Sequence, residues 1–192
     1  RRSRRSRRYL KAPNHINLIK KTKHQVPWFF FTFSRKQCQE KALELSKKKI
    51  FEINPDINIF IRKKLYGMFP EIIYLKSTKI LKKTLPYGIG FHHAGLIPII
   101  KEIVEELFSK GLIKVLYTTE TFAVGINMPA KTVCFNSLRK FDGISFRFLN
   151  SKEFFQIAGR AGRRGIDKEG FVYAMINRRD FDYYRIKKIV SK

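Results

Sequence analysis

Short apolar runs alternate with helical patterns along most of this chain. The first run, residues 26–33, is apolar and aromatic almost throughout, which is typical of a strand covered on both faces. Ser34 follows it and can cap a helix, in which Cys38, Ala42 and Leu45 share one apolar stripe. Three further apolar runs lie between helical or glycine-rich stretches, at residues 113–117, 132–135 and 171–176. This alternation predicts the α/β class, with a mostly parallel sheet and helices on both faces.

The clearest helical pattern lies between Pro98 and Lys110. Pro98 suits the first turn of a helix and Gly111 suits its C-terminal stop. The apolar stripe of this helix consists of Ile99, Ile100, Ile103, Val104, Leu107 and Phe108. By contrast, prolines interrupt weak, lysine-rich helical patterns in the section 52–86. We expect a helical insertion there.

The charge of the chain points to a polyanionic partner. Its 192 residues include 41 lysines and arginines but only 15 acidic residues, for a formal net charge of +26. Six of the basic residues lie in residues 1–8, and +26 less six still leaves +20 for the rest. So basic a body attracts a polyanion through counterion release, whatever the sequence of that polyanion. A biased genome is the alternative explanation, because lysine, isoleucine, asparagine and phenylalanine are all abundant.

The beginning of the chain differs from the rest. Residues 1–24 are polar and basic without sustained periodicity, so we expect a disordered arm or the remainder of an upstream segment, with order starting near Val26. Residues 25–192 are long enough for one domain with its own core. Because position 1 is not methionine, we expect a fragment, a processed chain or a truncated gene model.

Cysteine usage and hydropathy exclude several classes of protein. Cys38 and Cys134 lie far apart and outside any metal-binding spacing, so we expect buried free thiols and no metal site. No apolar run approaches the roughly 20 residues that cross a bilayer, and no signal-peptide core follows the arginine-rich start. We expect a soluble intracellular protein, cytoplasmic, or nuclear if the arginine-rich arm is an address.

The most specific feature of the sequence is residues 156–165, in which glycines and arginines alternate. Glycine is unfavourable inside a helix, so three glycines in seven residues indicate a close backbone approach or a sharp turn. Arg160 and Arg163 are three positions apart, a spacing that predicts two guanidinium groups on one helical face. Together they could hold a terminal phosphate through bidentate hydrogen bonds. A solvated basic helix end with glycine caps is the alternative.

Residues 156–165 resemble motif VI of superfamily-two helicases, in the DExH-box branch that includes the exosome-associated and superkiller RNA helicases. Residues 30–38 resemble motif IV, residues 91–96 resemble the motif after it, and residues 119–130 resemble motif V. The four motifs follow in order over residues 26–177. The resemblance implies a RecA-like lobe, a three-layer α/β sandwich that helicases use in tandem, and only the second lobe of the pair.

The resemblance also implies roles at the nucleotide. Motif VI of the family reaches across the cleft between the lobes, which would make Arg163 the principal arginine finger on the γ-phosphate of ATP, assisted by Arg160. Phosphoryl transfer is catalysed mainly by positioning and charge stabilisation, so a finger arginine can contribute roughly a thousandfold or more in rate. The other nucleotide-binding residues that the resemblance implies are Gln156, Gly159, Gly125 and Asn127.

Motif V is expected to contact RNA. Small and hydroxylated residues ahead of Pro129 make a loop whose backbone can lie against phosphates. The resemblance assigns Thr119, Glu120 and Thr121 to the RNA backbone and to coupling with the nucleotide. An ordinary strand-to-helix connection is the alternative.

Two more segments are candidates for RNA contact. Ser34, Arg35 and Lys36 follow the first strand at its carboxyl end, where open α/β sheets place their ligands, although a plain capped helix start would look the same. His92 and His93 have no metal-ligand cluster beside them. For these two the resemblance favours a cleft or RNA-facing position, with core packing as the alternative. The aromatic run 28–33 could also stack on bases, but its hydrophobic continuity favours a buried strand.

A helicase needs a GxxxxGKS/T loop for phosphates and an acidic DExH segment for magnesium, and neither string occurs here. The leading hypothesis is therefore the second motor lobe of an ATP-dependent RNA helicase in RNA processing or decay, inactive alone. Its expected partners are RNA, a first lobe carrying the magnesium ligands, and an RNA-decay complex such as the exosome. The alternatives are a stand-alone basic RNA-binding module and the lobe of a DNA-repair helicase.

Overall fold

Five parallel strands form the central sheet. The computed structural model describes residues 13–119 and 128–191. The sheet consists of β1 (Trp28–Phe31), β2 (Ile89–His92), β3 (Val115–Thr118), β4 (Thr132–Phe135) and β7 (Phe171–Ala174). Their order across the sheet is β2-β3-β1-β4-β7, and every neighbouring pair is parallel. The predicted α/β class and parallel sheet are confirmed.

The helices begin and end largely where capping residues predict. In the described residues they are α1 (His15–Lys21), α2 (Arg35–Lys47), α3 (Pro55–Leu65), α4 (Pro70–Ile73), α5 (Lys76–Thr84), α6 (Pro98–Ser109), α7 (Ser151–Ala158) and α8 (Tyr183–Val190). The hydroxyl of Ser34 accepts the N–H of Gln37 at 3.3 Å, so Ser34 caps α2 as predicted. Helix α6 starts at Pro98 as predicted, and Gly111 follows its end with φ +73°.

The side chains of β1 show that helices cover both faces of the sheet. Successive side chains of a strand point to opposite faces. On one face the ring of Phe30 packs against His15 of α1 at 5.7 Å between centroids, and the amine of Lys41 from α2 lies 5.9 Å from the same ring. On the other face Phe29 stacks on Phe108 of α6 at 4.8 Å. The three-layer arrangement predicted for a RecA-like lobe is therefore present.

Helix α1 corrects our prediction of a disordered arm over residues 1–24. Ile16 and Ile19 are buried in the core, and His15 Nδ1 lies 2.7 Å from the hydroxyl of Tyr117. Order therefore begins well before Val26. The fixed contact to Tyr117 joins residues 102 positions apart, which no local pattern could indicate. Residues 1–12 lie outside the described residues, and the arm stays a prediction for them.

The section 52–86, where we expected a helical insertion, contains helices α3, α4 and α5. Its helical character is confirmed, and its status as an insertion stays a prediction. Strand β2 follows it and was not predicted. Gly90 and His92 interrupt the apolar pattern of this four-residue strand, although all four residues are buried.

An antiparallel hairpin follows β4 and was also not predicted. It consists of β5 (Arg139–Phe141) and β6 (Phe146–Phe148). The carboxylate of Asp142 accepts the N–H groups of Ile144 and Ser145, both at 2.9 Å, and closes the turn. These backbone bonds lower the pKa of Asp142. The hairpin stands beside the five-stranded sheet as a separate two-stranded sheet.

Both cysteines are buried free thiols, as predicted. Burial raises the pKa of Cys38 to about 11 and raises that of Cys134 further. Within residues 13–119 and 128–191, no group of three or more His, Cys, Asp and Glu side chains is arranged to hold a metal ion. None of the helices in these same residues has the length and apolar character that crossing a membrane requires.

Candidate nucleotide and nucleic-acid sites

The carboxyl ends of the strands form one level edge of the sheet, which we call the carboxyl edge. Phe31 is in register with both Thr118 and Phe135, and His92 is also in register with Thr118. Residues that follow these strands therefore lie in a row, and the row holds positions 34–36, 93–95, 119 and 136. Open α/β sheets bind their ligands at this edge. The fold thus brings together three of the segments that the sequence assigned to RNA.

Two exposed cations begin helix α2 at the carboxyl edge, Arg35 and Lys36. A Cβ on Gly95 would stand 3.3 Å from Nη1 of Arg35, so the guanidinium group reaches from α2 to the loop after β2. Lys36 pairs with Glu40 at 3.7 Å on the surface, a contact of little stabilising value. Cations beside the N–H groups of a helix N-terminus suit a phosphate backbone. RNA contact by Ser34, Arg35 and Lys36 stays a prediction.

His92 and His93 are interior residues, with 6% and 4% of their surface exposed. Our expectation of a cleft or RNA-facing position is therefore wrong for these side chains, and the alternative of core packing describes them. His92 is the last residue of a fully buried strand, and His93 stacks on Phe91 at 5.9 Å between centroids. Any role of the two histidines in RNA binding would act through the loop that they support.

Burial lowers the pKa of both histidines. His92 Nε2 lies 2.9 Å from a carboxylate oxygen of Glu105, yet burial lowers the pKa of His92 more than this carboxylate raises it. The N–H of Gly95 donates to His93 Nδ1 at 3.0 Å. Burial, and then the positive charge of Arg35, lowers the pKa of His93 to about 4. A neutral His93 cannot serve as a cation for phosphate.

Thr119 is the last described residue before the gap in motif V. Its side chain is buried, and its hydroxyl finds no hydrogen-bond partner among residues 13–119 and 128–191. Its N–H donates across the sheet edge to the last carbonyl of β2 at 3.4 Å. The other candidates in motif V, Glu120, Thr121, Gly125 and Asn127, lie outside the described residues, and their roles stay predictions.

Motif VI begins on helix α7 and continues in a loop. Gln156 is exposed on the last turn of α7, and Gly159 caps the helix with φ −62°. Arg160 and Arg163 follow in the loop, so our prediction that they share one helical face is wrong. The helix ends at Ala158. Gly162 then adopts φ +84°, a left-handed conformation that favours glycine, and turns the loop.

Backbone contacts fix this loop against the start of β4. The N–H of Ala130 donates to the carbonyl of Arg160 at 3.1 Å, and the N–H of Gly162 donates back to the carbonyl of Ala130 at 2.7 Å. A Cβ on Gly170 would stand 2.5 Å from the backbone nitrogen of Gly162, so only glycine fits there. The glycines of this motif predicted a close backbone approach or a sharp turn. Gly162 confirms this, because its φ is +84° and its backbone lies against Gly170. Two backbone hydrogen bonds therefore join Ala130, the last residue of motif V, to the arginine loop of motif VI.

Arg163 is held by Asp167 in a bidentate ion pair. Its Nε and Nη2 donate to the two carboxylate oxygens at 2.8 and 3.0 Å, and its backbone N–H donates to the same carboxylate at 2.9 Å. These bonds raise the pKa of Arg163 and lower that of Asp167. Only 5% of the Asp167 side chain is exposed, against 26% of that of Arg163. The orientation of the guanidinium group is therefore fixed before any ligand binds.

Arg160 is half-buried beside this pair, and burial lowers its pKa from the very high value of a free guanidinium. A shift from so high a value leaves Arg160 positively charged at neutral pH. Two arginine cations therefore flank the glycine turn of motif VI. A doubly cationic turn is suited to a polyphosphate.

The arginine loop, which holds Arg160 and Arg163, and the candidate RNA-contact residues lie at opposite ends of the strands. Ala130 precedes β4 and Gly170 precedes β7, so the arginine loop lies at the amino ends of these strands. Ser34 and Thr119 follow β1 and β3 at the carboxyl edge. A strand of four residues spans about 13 Å at ~3.3 Å per residue. Segment 119–130 starts at one end of the sheet and finishes at the other.

Sequence reasoning missed several residues of these sites. Asp167 lies four positions after Arg163, a spacing that could have indicated an ion pair. Asn136, at the carboxyl edge, donates from its side-chain amide to the side chain of Gln37 at 3.2 Å. These two residues are 99 positions apart, so no local signal joins them. The pair ties the end of β4 to the first turn of α2.

Comparison with known proteins adds to this geometry. The model of the family described as the helicase conserved C-terminal domain matches residues 56–165. Superkiller complex protein 2 of Mus musculus is 46% identical over 154 residues, covering 79% of this chain and 12% of the relative. The ATP-dependent RNA helicase mtr4 of Schizosaccharomyces pombe is 41% identical over 176 residues, covering 88% of this chain and 16% of the relative. The exosome RNA helicase MTR4 of Homo sapiens is 42% identical over 175 residues, covering 87% and 16%. The chain thus spans between an eighth and a sixth of the length of these relatives.

Proposed function

Because the chain belongs to the helicase conserved C-terminal domain family, and its relatives are DExH-box RNA helicases of the superkiller and exosome-associated kind, we propose that it is the second motor lobe of an ATP-dependent RNA helicase. The lobe couples ATP hydrolysis to movement along RNA, in RNA processing or decay. It works together with a first lobe that supplies the GxxxxGKS/T and DExH segments. The magnesium ligands belong to that first lobe.

The orientation of Arg163 is the observation that carries this proposal. Asp167 holds one edge of the guanidinium group through Nε and Nη2, while Nη1 makes no hydrogen bond within the described residues. A bidentate contact needs two neighbouring N–H groups, and the edge formed by Nη1 and Nη2 supplies them. The ion pair with Asp167 therefore leaves the Nη1 and Nη2 edge of the Arg163 guanidinium group for a γ-phosphate.

Charge stabilisation is the chemistry that this lobe contributes. ATP bound at the first lobe supplies the phosphoryl group, and negative charge is spread over its γ-phosphate oxygens in the transition state. Arg163 stabilises that charge directly and Arg160 adds a second cation from the same loop. Pre-organised donors avoid reorganisation at the moment of reaction, which makes a fixed arginine more effective than a mobile one.

The RNA backbone runs along the carboxyl edge in this proposal. Ser34, Arg35 and Lys36 meet it at the start of α2, and the motif V residues from Thr119 meet it beside β3. The contacts are to phosphates, so they bind without reading sequence. The excess of basic over acidic residues in the whole chain supports the same partner.

Substitution of the finger in a chimera tests the proposal. This chain replaces the matching segment of superkiller complex protein 2, so that a first lobe with both absent motifs is present. RNA-stimulated ATP hydrolysis and RNA affinity are measured for the chimera and for Arg163→Ala and Arg164→Ala. We expect Arg163→Ala to lower kcat by roughly a thousandfold or more with RNA affinity unchanged. The exposed neighbour Arg164 is the matched control, and its loss should change neither quantity appreciably.

The remaining outcomes decide between the alternatives. Equal loss of hydrolysis and RNA binding in Arg163→Ala would reject the finger assignment. A folded chimera that binds RNA but never hydrolyses ATP would favour a stand-alone RNA-binding module. Competition between matched single strands of RNA and DNA separates an RNA helicase from a DNA-repair lobe. The isolated chain should hydrolyse no ATP.

A further inference from the structure

Three exposed aromatic rings stand on the connection between helices α3 and α5. Tyr66, Phe69 and Tyr74 are 89%, 74% and 68% exposed. Large aromatic rings normally bury most of their surface, because each removes a large apolar area from water. We call these three residues the ring platform. Neither the arginine loop nor the carboxyl-edge residues include them.

Basic residues are frequent in the sequence on both sides of the ring platform. Between Asp56 and Glu102 the sequence holds a single acidic residue, Glu71. The basic residues of the same stretch are Arg62, Lys63, Lys64, Lys76, Lys79, Lys82, Lys83 and Lys101. The amine of Lys79 lies 5.5 Å from the centroid of the Tyr74 ring, so cation and ring form one surface. The segments that carry and flank the ring platform are therefore strongly basic.

The direction of α3 places the ring platform toward the carboxyl edge. The amine of Lys110, at the end of α6, lies 4.5 Å from the Phe60 ring, and Lys64 pairs with Glu106 at 2.9 Å. As the residue number increases along α3, the number of the contacted residue on α6 decreases. The two helices are therefore antiparallel. Helix α6 leads from the carboxyl end of β2 back toward β3, and α3 consequently ends toward the carboxyl edge. Helix α5 starts at that side and runs to the amino end of β2.

The ring platform therefore lies beyond β2, next to the candidate RNA-contact residues of the carboxyl edge. Strand β2 is the outer strand of the sheet, in the order β2-β3-β1. Helix α5 packs against β2, and α3 packs against α6. Residues 34–36, 93–95 and 119 occupy the carboxyl edge between β1 and β2. A strand of nucleic acid leaving this row at β2 meets the rings next.

We infer that the ring platform binds the bases of single-stranded RNA, as a second contact surface beyond the phosphate contacts of the carboxyl edge. This inference rests on the proposed function and deepens it. Aromatic rings interleaved with cations form the stacking platforms of single-strand-binding proteins, where the rings accept any base. Bases in a duplex are already stacked and offer no open face, so the platform selects single strands.

The composition of the patch favours nucleic acid over a protein partner. Lysine is depleted at protein–protein interfaces, whereas it dominates here. Aliphatic side chains are also scarce on the exposed surface: Ile72 and Ile73 are partly buried, and Leu75 is only 38% exposed. An apolar protein interface would need more such area. The rings and cations instead match the two chemical parts of a nucleotide, its base and its phosphate.

Fluorescence anisotropy of the chain with a labelled single-stranded oligouridylate of about 20 nucleotides tests the inference. Tyr66→Ala, Phe69→Ala and Tyr74→Ala should each weaken binding by roughly fivefold or more, since each removes one stacked base. Tyr66→Phe and Tyr74→Phe keep the ring and should retain the affinity of the parent chain. Tyr184→Ala is the matched control, because Tyr184 is 83% exposed on α8 and lies outside the platform. Crosslinking of a 4-thiouridine strand should map to residues 66–79.

Each outcome separates this inference from the proposed function. Unchanged affinity in all three alanine variants, in a chain that still binds RNA, would overturn the ring platform and leave the proposed function standing. A chain that binds no RNA at all would overturn both. Concentration-dependent self-association that the same variants abolish, with RNA affinity unchanged, would assign the rings to contact between copies and overturn the inference. Equal loss in the phenylalanine variants would likewise reject stacking.

Discussion

Asp167→Asn tests how much the orientation of Arg163 contributes to the proposed function, because the substitution leaves the positive charge of Arg163 in place. The substitution keeps Arg163 and the size of the side chain at position 167, but it removes the negative charge that orients the guanidinium group. If Asp167 is a positioning residue, hydrolysis should suffer while ATP and RNA binding persist. A purely structural role would instead lower stability and activity together.

The expected magnitude follows from the three bonds that Asp167 accepts. They come from the backbone N–H, Nε and Nη2 of Arg163, at 2.9, 2.8 and 3.0 Å. An asparagine oxygen can keep the first two, but its amide group cannot accept from Nη2. A hydrogen bond to a charged group contributes roughly 1.5–3 kcal/mol. Because Arg163 is 26% exposed, a hydrogen bond from Nη2 to water can replace part of this contribution. We therefore expect a loss of about 1.5 kcal/mol in orientation, or about tenfold in kcat.

RNA-stimulated hydrolysis by the chimera measures this effect, and urea denaturation of the chain measures stability. Asp167→Asn should lower kcat about tenfold with little change in KM for ATP. In the background of Arg163→Ala, the same substitution should cost almost nothing more, because the residue that it positions is absent. An undiminished kcat in Asp167→Asn would refute the positioning role. So would an equal further loss in the double variant.

Three further predictions concern charge and pH. Arg35→Gln should weaken binding to single-stranded RNA and lower the slope of log K against log salt by about one. Lys21→Gln, on α1 at the other end of the sheet, is the control and should change the slope less. Equal effects of the two substitutions would exclude Arg35 from the RNA contacts. The ring of His93 should titrate near pH 4 in an NMR experiment. Because its pKa in the folded state is lower than the ordinary value, stability should fall as the pH drops from about 6.5 toward 4. Titration near pH 6.5 would contradict its buried environment. The Arg147 guanidinium holds the pKa of Glu153 at about 2. The stability that this ion pair contributes is therefore present above pH 4.5 and lost as the pH falls toward 2. Glu153→Gln should flatten this part of the stability profile measured by urea denaturation.

The elements that the sequence predicted are those specified by local pattern. Strand β1 is a continuous apolar run, α2 begins at a capping serine, and α6 carries a full apolar stripe between proline and glycine. In each case the residues that define the element lie within one window of the chain. The glycines of motif VI belong to the same class, because the left-handed φ at Gly162 is a local requirement of the backbone.

The elements that were missed depend on distant contacts. Helix α1 is fixed through His15, whose partner Tyr117 is 102 positions away. Strand β2 pairs with β3 despite a glycine and a histidine that break its apolar pattern. His92 is buried at the end of β2, and its Nε2 lies 2.9 Å from a carboxylate oxygen of Glu105 on α6. A histidine pair after an apolar residue looks the same in the sequence whether it faces solvent or core, so its environment could not be predicted.

The arrangement of the lobe suggests how RNA and nucleotide influence each other. Motif V starts at Thr119 on the carboxyl edge and ends at Ala130, whose backbone is bonded to Arg160 and Gly162 on both sides. In the proposed function, RNA contacts the Thr119 end of motif V, and the arginine loop is bonded to its Ala130 end, about 13 Å away by strand length. The ion pair between Arg163 and Asp167 determines whether Arg163 moves with the loop or changes orientation within it. Since the pair is bidentate and the loop is fixed at Ala130, we expect the finger to move with the loop as a unit. On this view, RNA regulates hydrolysis by shifting the position of a finger that is already correctly oriented.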